Sequence, residues 1–283
     1  MQFAVTVVSP PGYLHSAAFS EVAETIHYSL RSLGHDSVIT AEGRLSGRQH
    51  IVLGSNLLPH FPLRISDEAI LYNLEQVEIG SPWFQPDLVN LFRRYRVWDY
   101  SKRNAAALDA LGVKVAQVVP LGYVAELTRI KPAATQDIDV LLFGSINPRR
   151  AKIIDQMKAV GLRAHAVFGL YGAHRDALIS RAKLLLNVHF YDAKVLEMVR
   201  ISYLLANRCA VLSERSSDPA GDDSLADGVA FADYEHLVQR ARELIDTPDE
   251  RERLANRGFE IMSARPAREY VRTALAHAYG DDK

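Results

Sequence analysis

Along the chain, short continuous apolar runs alternate with apolar stripes spaced three and four residues apart. Residues 3–8 read as a buried strand, and after a Pro-Pro-Gly loop the stripe Phe19, Val22, Ala23, Ile26, Leu30 and Leu33 reads as a helix closed by Gly34. Further runs at 37–39, 51–53, 69–72, 97–98 and 115–119, with a helix at 105–111, continue the series. Residues 128–136 have no period and contain a proline, so they read as a linker. The alternation then restarts, with strands at 138–143, 164–168, 184–188 and 210–213. Helices follow at 151–160, 175–182, 195–207 and 234–245, and then helices alone at 249–262 and 268–279. Strand and helix in alternation predict an α/β chain with parallel sheets. The expectation is two facing Rossmann-like doubly wound domains, 1–130 and 137–265, with the segment 266–283 returning to the first. A ligand then belongs in the cleft at the strand C-termini.

Composition agrees with a folded protein: 48% of the 283 residues are apolar and 24% charged. Thirty-three Lys and Arg against 34 Asp and Glu leave no global field for a polyanion, and the single Cys209 excludes an internal disulfide and a cysteine-rich metal site. No apolar run reaches the roughly 18 residues that span a bilayer, and the first positive charge is Arg31, so residues 3–8 lack the basic start of a signal peptide. A cytoplasmic chain follows as the expectation, at most peripheral to the inner membrane face and without stable membrane insertion. The helix 88–91 running into Phe92-Arg93-Arg94-Tyr95-Arg96 reads as a helix C-terminus with its favoured cations, or as a contact for an anionic surface.

The first strand-to-helix turn, Ser9-Pro10-Pro11-Gly12-Tyr13-Leu14-His15, has one glycine and not G-x-G-x-x-G, and no P-loop motif occurs anywhere. Asp137-Ile138-Asp139 precedes its strand, the wrong end for a metal-binding carboxylate pair, and no metal is expected. In Leu142-Phe143-Gly144-Ser145-Ile146-Asn147-Pro148-Arg149-Arg150, by contrast, Asn147 suits a helix N-cap and Pro148 the first helical position. Arg149 and Arg150 then stand where the macrodipole disfavours cations; a bound phosphate reconciles this, and two solvated arginines are the plain alternative. In the segment 186–214, His189 closes a strand, while Glu197 and Arg200 are three apart on the following helix. A core histidine and a structural ion pair are the competing readings.

These residues carry a family resemblance. Residues 138–262 resemble the nucleotide-sugar-binding half of GT-B glycosyltransferases of the retaining group-1, family 4-like kind. Phe143-Gly144 followed by Pro148-Arg149-Arg150 is similar to that family's phosphate element, and Glu197 through Glu214 to its helix-strand signature. The family writes E-x7-E, whereas here His189 stands eight residues before Glu197. The N-terminal half is similar at Leu33-Gly34-His35, Tyr72-Asn73-Leu74-Glu75-Gln76 and Val119-Pro120-Leu121-Gly122-Tyr123.

The resemblance implies a GT-B enzyme that moves a sugar from a nucleoside diphosphate sugar, the co-substrate, with no resident cofactor and a retaining outcome. Gly144, Asn147, Arg149, Arg150, Tyr171, Tyr191, Glu197 and Arg200 are then the donor-binding set. Within it, Glu197 holds the ribose, Arg149 and Arg150 neutralise the leaving diphosphate, Arg200 orients Glu197 or reaches the phosphates, Tyr171 lines the base pocket and His189 lies near the transferred sugar; His189, Glu197 and Arg150 are the catalytic candidates. On the acceptor side, Gly12, His15, Tyr72, Asn73, Glu75, Trp98 and Asp99 all follow strands or close them, although Tyr72 and Trp98 fit a core equally well and Glu75 a solvated surface. The acceptor itself is open among a glycan, a lipid-linked group, a small molecule and a nucleic acid base. A nucleotide-sugar epimerase and a non-catalytic nucleotide- or sugar-binding module are the rival readings.

Overall fold

The computed structural model describes residues 1–77 and 84–280; the last three residues of the expected C-terminal segment, 281–283, lie outside them. The chain divides into two compact units, Met1–Val124 together with the segment from Pro266 onward, and Ala125–Arg265.

Unit 1 runs β1 (Gln2–Val7), α1 (Ser20–Ser32), β2 (Asp36–Thr40), β3 (Gln49–Leu53), β4 (Ile70–Asn73), α2 (Pro86–Arg94), β5 (Arg96–Asp99), α3 (Lys102–Ala110) and β6 (Val115–Val118). Its six strands are parallel in the order β2-β1-β3-β4-β5-β6. Val5 stands between Ile39 and Ile51 in register, and residues 3–5, 51–53 and 70–72 are wholly or almost wholly buried. Strands covered on both faces need continuous apolar runs, which is why the sequence showed runs and not alternation.

Unit 2 runs β7 (Ile138–Phe143), α4 (Pro148–Ala159), β8 (Ala164–Val167), α5 (Gly172–Arg181), β9 (Ala182–Asn187), α6 (Met198–Ala206), β10 (Val211–Glu214), α7 (Pro219–Asp223), β11 (Ala230–Ala232), α8 (Leu237–Asp246) and α9 (Pro248–Ser263). The parallel order is β11-β10-β9-β7-β8. Val140, Leu142, Leu184, Leu186 and Leu212 on the strands share one core with Ile153, Ile154 and Met157 of α4 and Leu237, Ala241 and Leu244 of α8. Numbered within each unit, both sheets contain the order 2-1-3-4-5, so each has its topological switch point between its first and third strands. The crevice beyond those strands' C-terminal ends is where such sheets bind ligands.

The last helix, α10 (Ala267–Tyr279), packs on α1, and the Ala267 amide donates to the Tyr123 carbonyl at 2.9 Å. The stretch 128–136 that reads as a linker is held to unit 2. Asn207 accepts at Oδ1 from the amides of Arg129 and Ile130, both at 2.8 Å, and donates to the Leu127 carbonyl at 2.9 Å. Besides α7, which the sequence did not announce, two elements differ from the sequence expectation. The helix expected at 195–207 begins only at Met198, and β11, three residues long, carried too short a pattern to read.

Candidate functional site

At the switch point of unit 2, β7 ends in Phe143 and turns through Gly144 at φ 121°, a left-handed value that a side chain tolerates poorly. A Cβ there would stand 2.6 Å from Arg200 Nη2, so glycine is also what lets that guanidinium lie on the loop. Asn147 caps α4, its Oδ1 accepting from the Arg150 amide at 2.9 Å, with Pro148 in the first helical position. The cap's Nδ2 donates to the Phe190 carbonyl at 3.2 Å, which ties the β7–α4 loop to the end of β9.

Neither arginine of this helix start is a freely solvated side chain, the plain alternative to a phosphate-binding pair. Arg150 is 2% exposed, with Nε on the Val188 carbonyl and Nη1 on the Ser145 carbonyl, each at 2.8 Å, and Nη2 3.4 Å from Glu197 Oε1. Burial and the neighbouring Arg200 hold its pKa down at about 10. Arg149 clasps Glu214 with both terminal nitrogens, lies over the Tyr234 ring at 3.9 Å and donates to the His189 carbonyl at 3.2 Å.

Glu197 is not on the body of α6 beside Arg200; it occupies the residue before the helix, and its carbonyl accepts from the Arg200 amide at 2.9 Å. Its carboxylate takes Asn187 Nδ2 at 2.9 Å and lies 2.9 Å from His189 Nδ1, an ion-pair approach without hydrogen-bond alignment. Arg200 donates to Asn187 Oδ1 at 2.5 Å and faces the Phe143 ring. His189 is 1% exposed; its Nε2 meets the Arg215 carbonyl at 3.1 Å and its Nδ1 faces Glu197. Burial opposes its protonation, but Glu197 and Glu214 outweigh it and hold the His189 pKa above the usual imidazole range. Burial likewise opposes ionisation of Glu197, and His189, Arg200 and Asn187 reverse that, keeping its pKa low.

Three residues of this cluster were not among the expected site residues: Asn187, Lys194 and Glu214, the last named only as the end of the helix-strand signature. Glu214 is 1% exposed, accepts the His189 amide at 3.1 Å and lies 3.3 Å from Lys194 Nζ. A carboxylate closing the apolar run of β10 was the available signal. With them counted, four cations, Arg149, Arg150, Lys194 and Arg200, surround two carboxylates, Glu197 and Glu214. Within this group the cations outnumber the carboxylates by two, beside the N-terminus of a twelve-residue helix, the electrostatics of an anion site. Asp137 and Asp139, at the other end of β7, are paired with Arg181 and with Arg163 and Lys183.

No protein-family model matches the chain. Two proteins of Acanthamoeba polyphaga mimivirus, both described as uncharacterized, are similar. One, L140, is 30% identical over 176 residues, 60% of this chain and 56% of that protein. The other, L138, is 36% identical over 108 residues, 37% of this chain and 12% of that protein. The chain therefore spans little more than half of the one and a small part of the other. Among solved structures, HepE of Anabaena in complex with UDP and glucose matches with a TM-score of 0.64 and 11% identity over 99% of this chain and 100% of that one. Sucrose-phosphate synthase of Thermosynechococcus elongatus matches at 0.61 and 10% over 98% of each chain. WaaG, a glycosyltransferase involved in lipopolysaccharide biosynthesis, matches at 0.55 and 12% over 99% of each. The chain has the GT-B glycosyltransferase fold.

Within the GT-B fold, Tyr171 and Tyr191 of the expected donor set are half-buried on loops that follow β8 and β9, Tyr191 in edge contact with the Phe190 ring. The residues expected on the acceptor side separate into two groups. Tyr72 and Trp98 are completely buried, and the Tyr72 hydroxyl donates to the Val119 carbonyl at 2.6 Å. Each is the third residue of a four-residue strand, inside the sheet and not beyond it, so neither lines a crevice. Asn73 and Asp99 are bonded to each other at 2.7 Å and buried. Gly12, in a left-handed turn at φ 75°, and His15, edge-on to the Tyr13 ring, follow β1, while Glu75 follows β4. No helix among the described residues is long and apolar enough to cross a membrane.

Proposed function

We propose that this protein is a glycosyltransferase that binds a nucleoside diphosphate sugar on unit 2 and transfers the sugar to an acceptor hydroxyl without a metal and with retention. The observation that carries the reading is the surplus of positive charge at the β7/β9 switch point, against the N-terminus of α4. The structural likeness to HepE, solved with UDP and glucose, supports the same class of donor. In transfer, the bond between the anomeric carbon and the diphosphate oxygen breaks with its electron pair going to the diphosphate. The acceptor oxygen replaces it and its proton leaves to the diphosphate or to water. Positive groups already fixed where that charge develops lower the barrier without reorganising.

On this reading Arg200, over Gly144, and the partly exposed Arg149 and Lys194 meet the diphosphate. The buried Arg150, Glu197 and His189 act as positioning residues that hold them. Calorimetry with UDP, GDP, ADP and their sugars, with and without EDTA, tests the proposal. Binding of at least one of them that survives EDTA and weakens about 10- to 100-fold in Arg200→Ala is expected, the loss of one hydrogen bond between charged groups. No binding of any nucleotide would overturn it. The anomeric configuration of the product, read by NMR, tests retention.

A further inference from the structure

Unit 2 has a second concavity, at the opposite end of its sheet from the switch point. Ala182 opens β9 and Ala210 immediately precedes β10, and both line a cavity of about 320 Å³ there. Sites for small organic ligands run from about 300 to 1,000 Å³. Ile179 of α5, Ala182, Cys209 and Ala210 make its buried lining apolar, and Ile130 and Pro132, from the stretch 128–136, line it too. Buried Asn207 is the polar exception, and its amide is spent on the backbone of residues 127, 129, 130 and 203.

Three cations line the same cavity: Lys183, Arg208 and Arg251. Asp139 neutralises Lys183 at 2.8 Å. The two arginines have neutral partners only. Arg208 donates to Asn256 Oδ1 at 3.2 Å and lies 3.6 Å from the centre of the Phe259 ring. Arg251 donates to the Leu244 and Ile245 carbonyls at 2.5 and 2.7 Å. Among the described residues no carboxylate is within ion-pair distance of either guanidinium; Asp139, which acts on Arg251 from further off, already holds Arg163 and Lys183. The one acid that lines the cavity is the exposed Glu252. We infer that this cavity binds a small organic monoanion, a carboxylate on an apolar body, with Arg208 and Arg251 meeting the carboxylate. The inference does not depend on the transferase reading.

Arg208 supplies an argument from backbone geometry. It follows the C-cap of α6 at φ 53°, its amide donating to the Leu205 carbonyl and the Cys209 amide to the Leu204 carbonyl. That closure ordinarily places glycine at this residue, where a side chain is strained. What arginine adds is a cation at the cavity. The surroundings then select the ligand. Two arginines against Glu252 leave one positive charge, which suits a monoanion, and guanidinium forks match the two oxygens of a carboxylate. A neutral molecule would leave the arginines unmet, and an inorganic anion would leave the apolar lining unfilled.

Calorimetry with benzoate, phenylacetate and hexanoate tests the inference, with benzyl alcohol as the neutral counterpart and phenyl phosphate as the more highly charged one. At least one carboxylate should bind the parent protein, and benzyl alcohol and phenyl phosphate should each bind at least about 10-fold more weakly. Arg208→Gly and Arg251→Gln should each weaken the carboxylate about 10-fold or more, the loss of a hydrogen bond between charged groups. Arg208→Gly relieves the left-handed backbone, and Arg251→Gln keeps an amide for the two carbonyls, so both variants should stay folded by circular dichroism. Saturating UDP should leave the carboxylate bound, since the switch point is at the other end of the strands. Binding of none of the three carboxylates, equal or tighter binding of benzyl alcohol or phenyl phosphate, displacement by UDP, or affinity unchanged in both folded variants overturns the inference.

Discussion

Arg150 and His189 show how a local rule and a long-range contact combine. Cations in the first turn of α4 oppose the helix dipole, and Arg150 is tolerated there because two carbonyls and Glu197 surround it. Arg150→Ala should take that donor from the buried Val188 and Ser145 carbonyls and one of three partners from Glu197, costing about 3 to 5 kcal/mol in urea unfolding. Arg150→Lys should recover little, since a point charge cannot reproduce the fork. Arg149→Ala should cost less, because its side chain is 29% exposed and Lys194 still faces Glu214. The His189–Glu197 pair gives a signed pH effect. A raised histidine pKa contributes stability below pH 6.5 and loses it as pH rises through the raised value; a lowered glutamate pKa contributes above pH 4.5 and loses it as pH falls. The coupling is therefore greatest near pH 6. Glu197→Gln should destabilise more at pH 6 than at pH 9, and His189 should titrate lower by NMR in that variant than in the parent. A histidine that titrates alike in both would show that Glu197 does not hold it.

At the scale of elements, the loop from β7 into α4 is where the sequence was most readable. Asn147 and Pro148 mark a helix start through backbone needs that are purely local, and the cap and the first-turn proline are both present. All the strands but the short β11 were equally legible, because a parallel strand buried on both faces announces itself as an unbroken apolar run. What the sequence hid was set by distance along the chain. Nothing near Arg149 reveals that its partner is Glu214, 65 residues on. Val195 and Leu196 extend the apolar stripe of α6 backwards, so the pattern could not show that Glu197 precedes the helix. Gly144 and Arg200 make the same point, since only the fold shows that the glycine makes room for the guanidinium. Gly144→Ala and Arg200→Ala should each weaken nucleotide binding, and the double variant should be no worse than the more severe single by more than about 0.5 kcal/mol. Two changes that disrupt one contact do not add. Full additivity in calorimetry would mean that the two residues act independently.

Across the whole molecule, one strand order has been built twice with opposite electrostatics, and this gives the units opposite responses to pH. In unit 1, burial raises Asp99 from 3.8 to about 7 against the hydrogen bonds from Asn73, Ser101 and Asn104, and raises Glu75 from 4.5 to about 7. A carboxyl whose folded pKa is raised binds its proton more tightly in the native state, so stability is highest below the unfolded value and declines as pH climbs to the folded one. At about 1.4 kcal/mol per pKa unit, the fully buried Asp99 alone should remove a few kcal/mol from unit 1 between pH 4 and 7. In unit 2 the carboxylates act in the reverse sense: Glu197 and Glu214 have lowered pKa values and stabilise above pH 4.5, losing that contribution only as pH falls, while His189 loses its own only as pH rises through its raised value. Hydrogen exchange read by mass spectrometry at pH 5 and 7, corrected for the intrinsic rate, should show β4 and β5 losing protection at the higher pH while β7 and β9 keep theirs. Asp99→Asn combined with Glu75→Gln should flatten the response of unit 1 and leave unit 2 unaffected. If protection in both units moved together, the buried acids of unit 1 would not be what sets its stability.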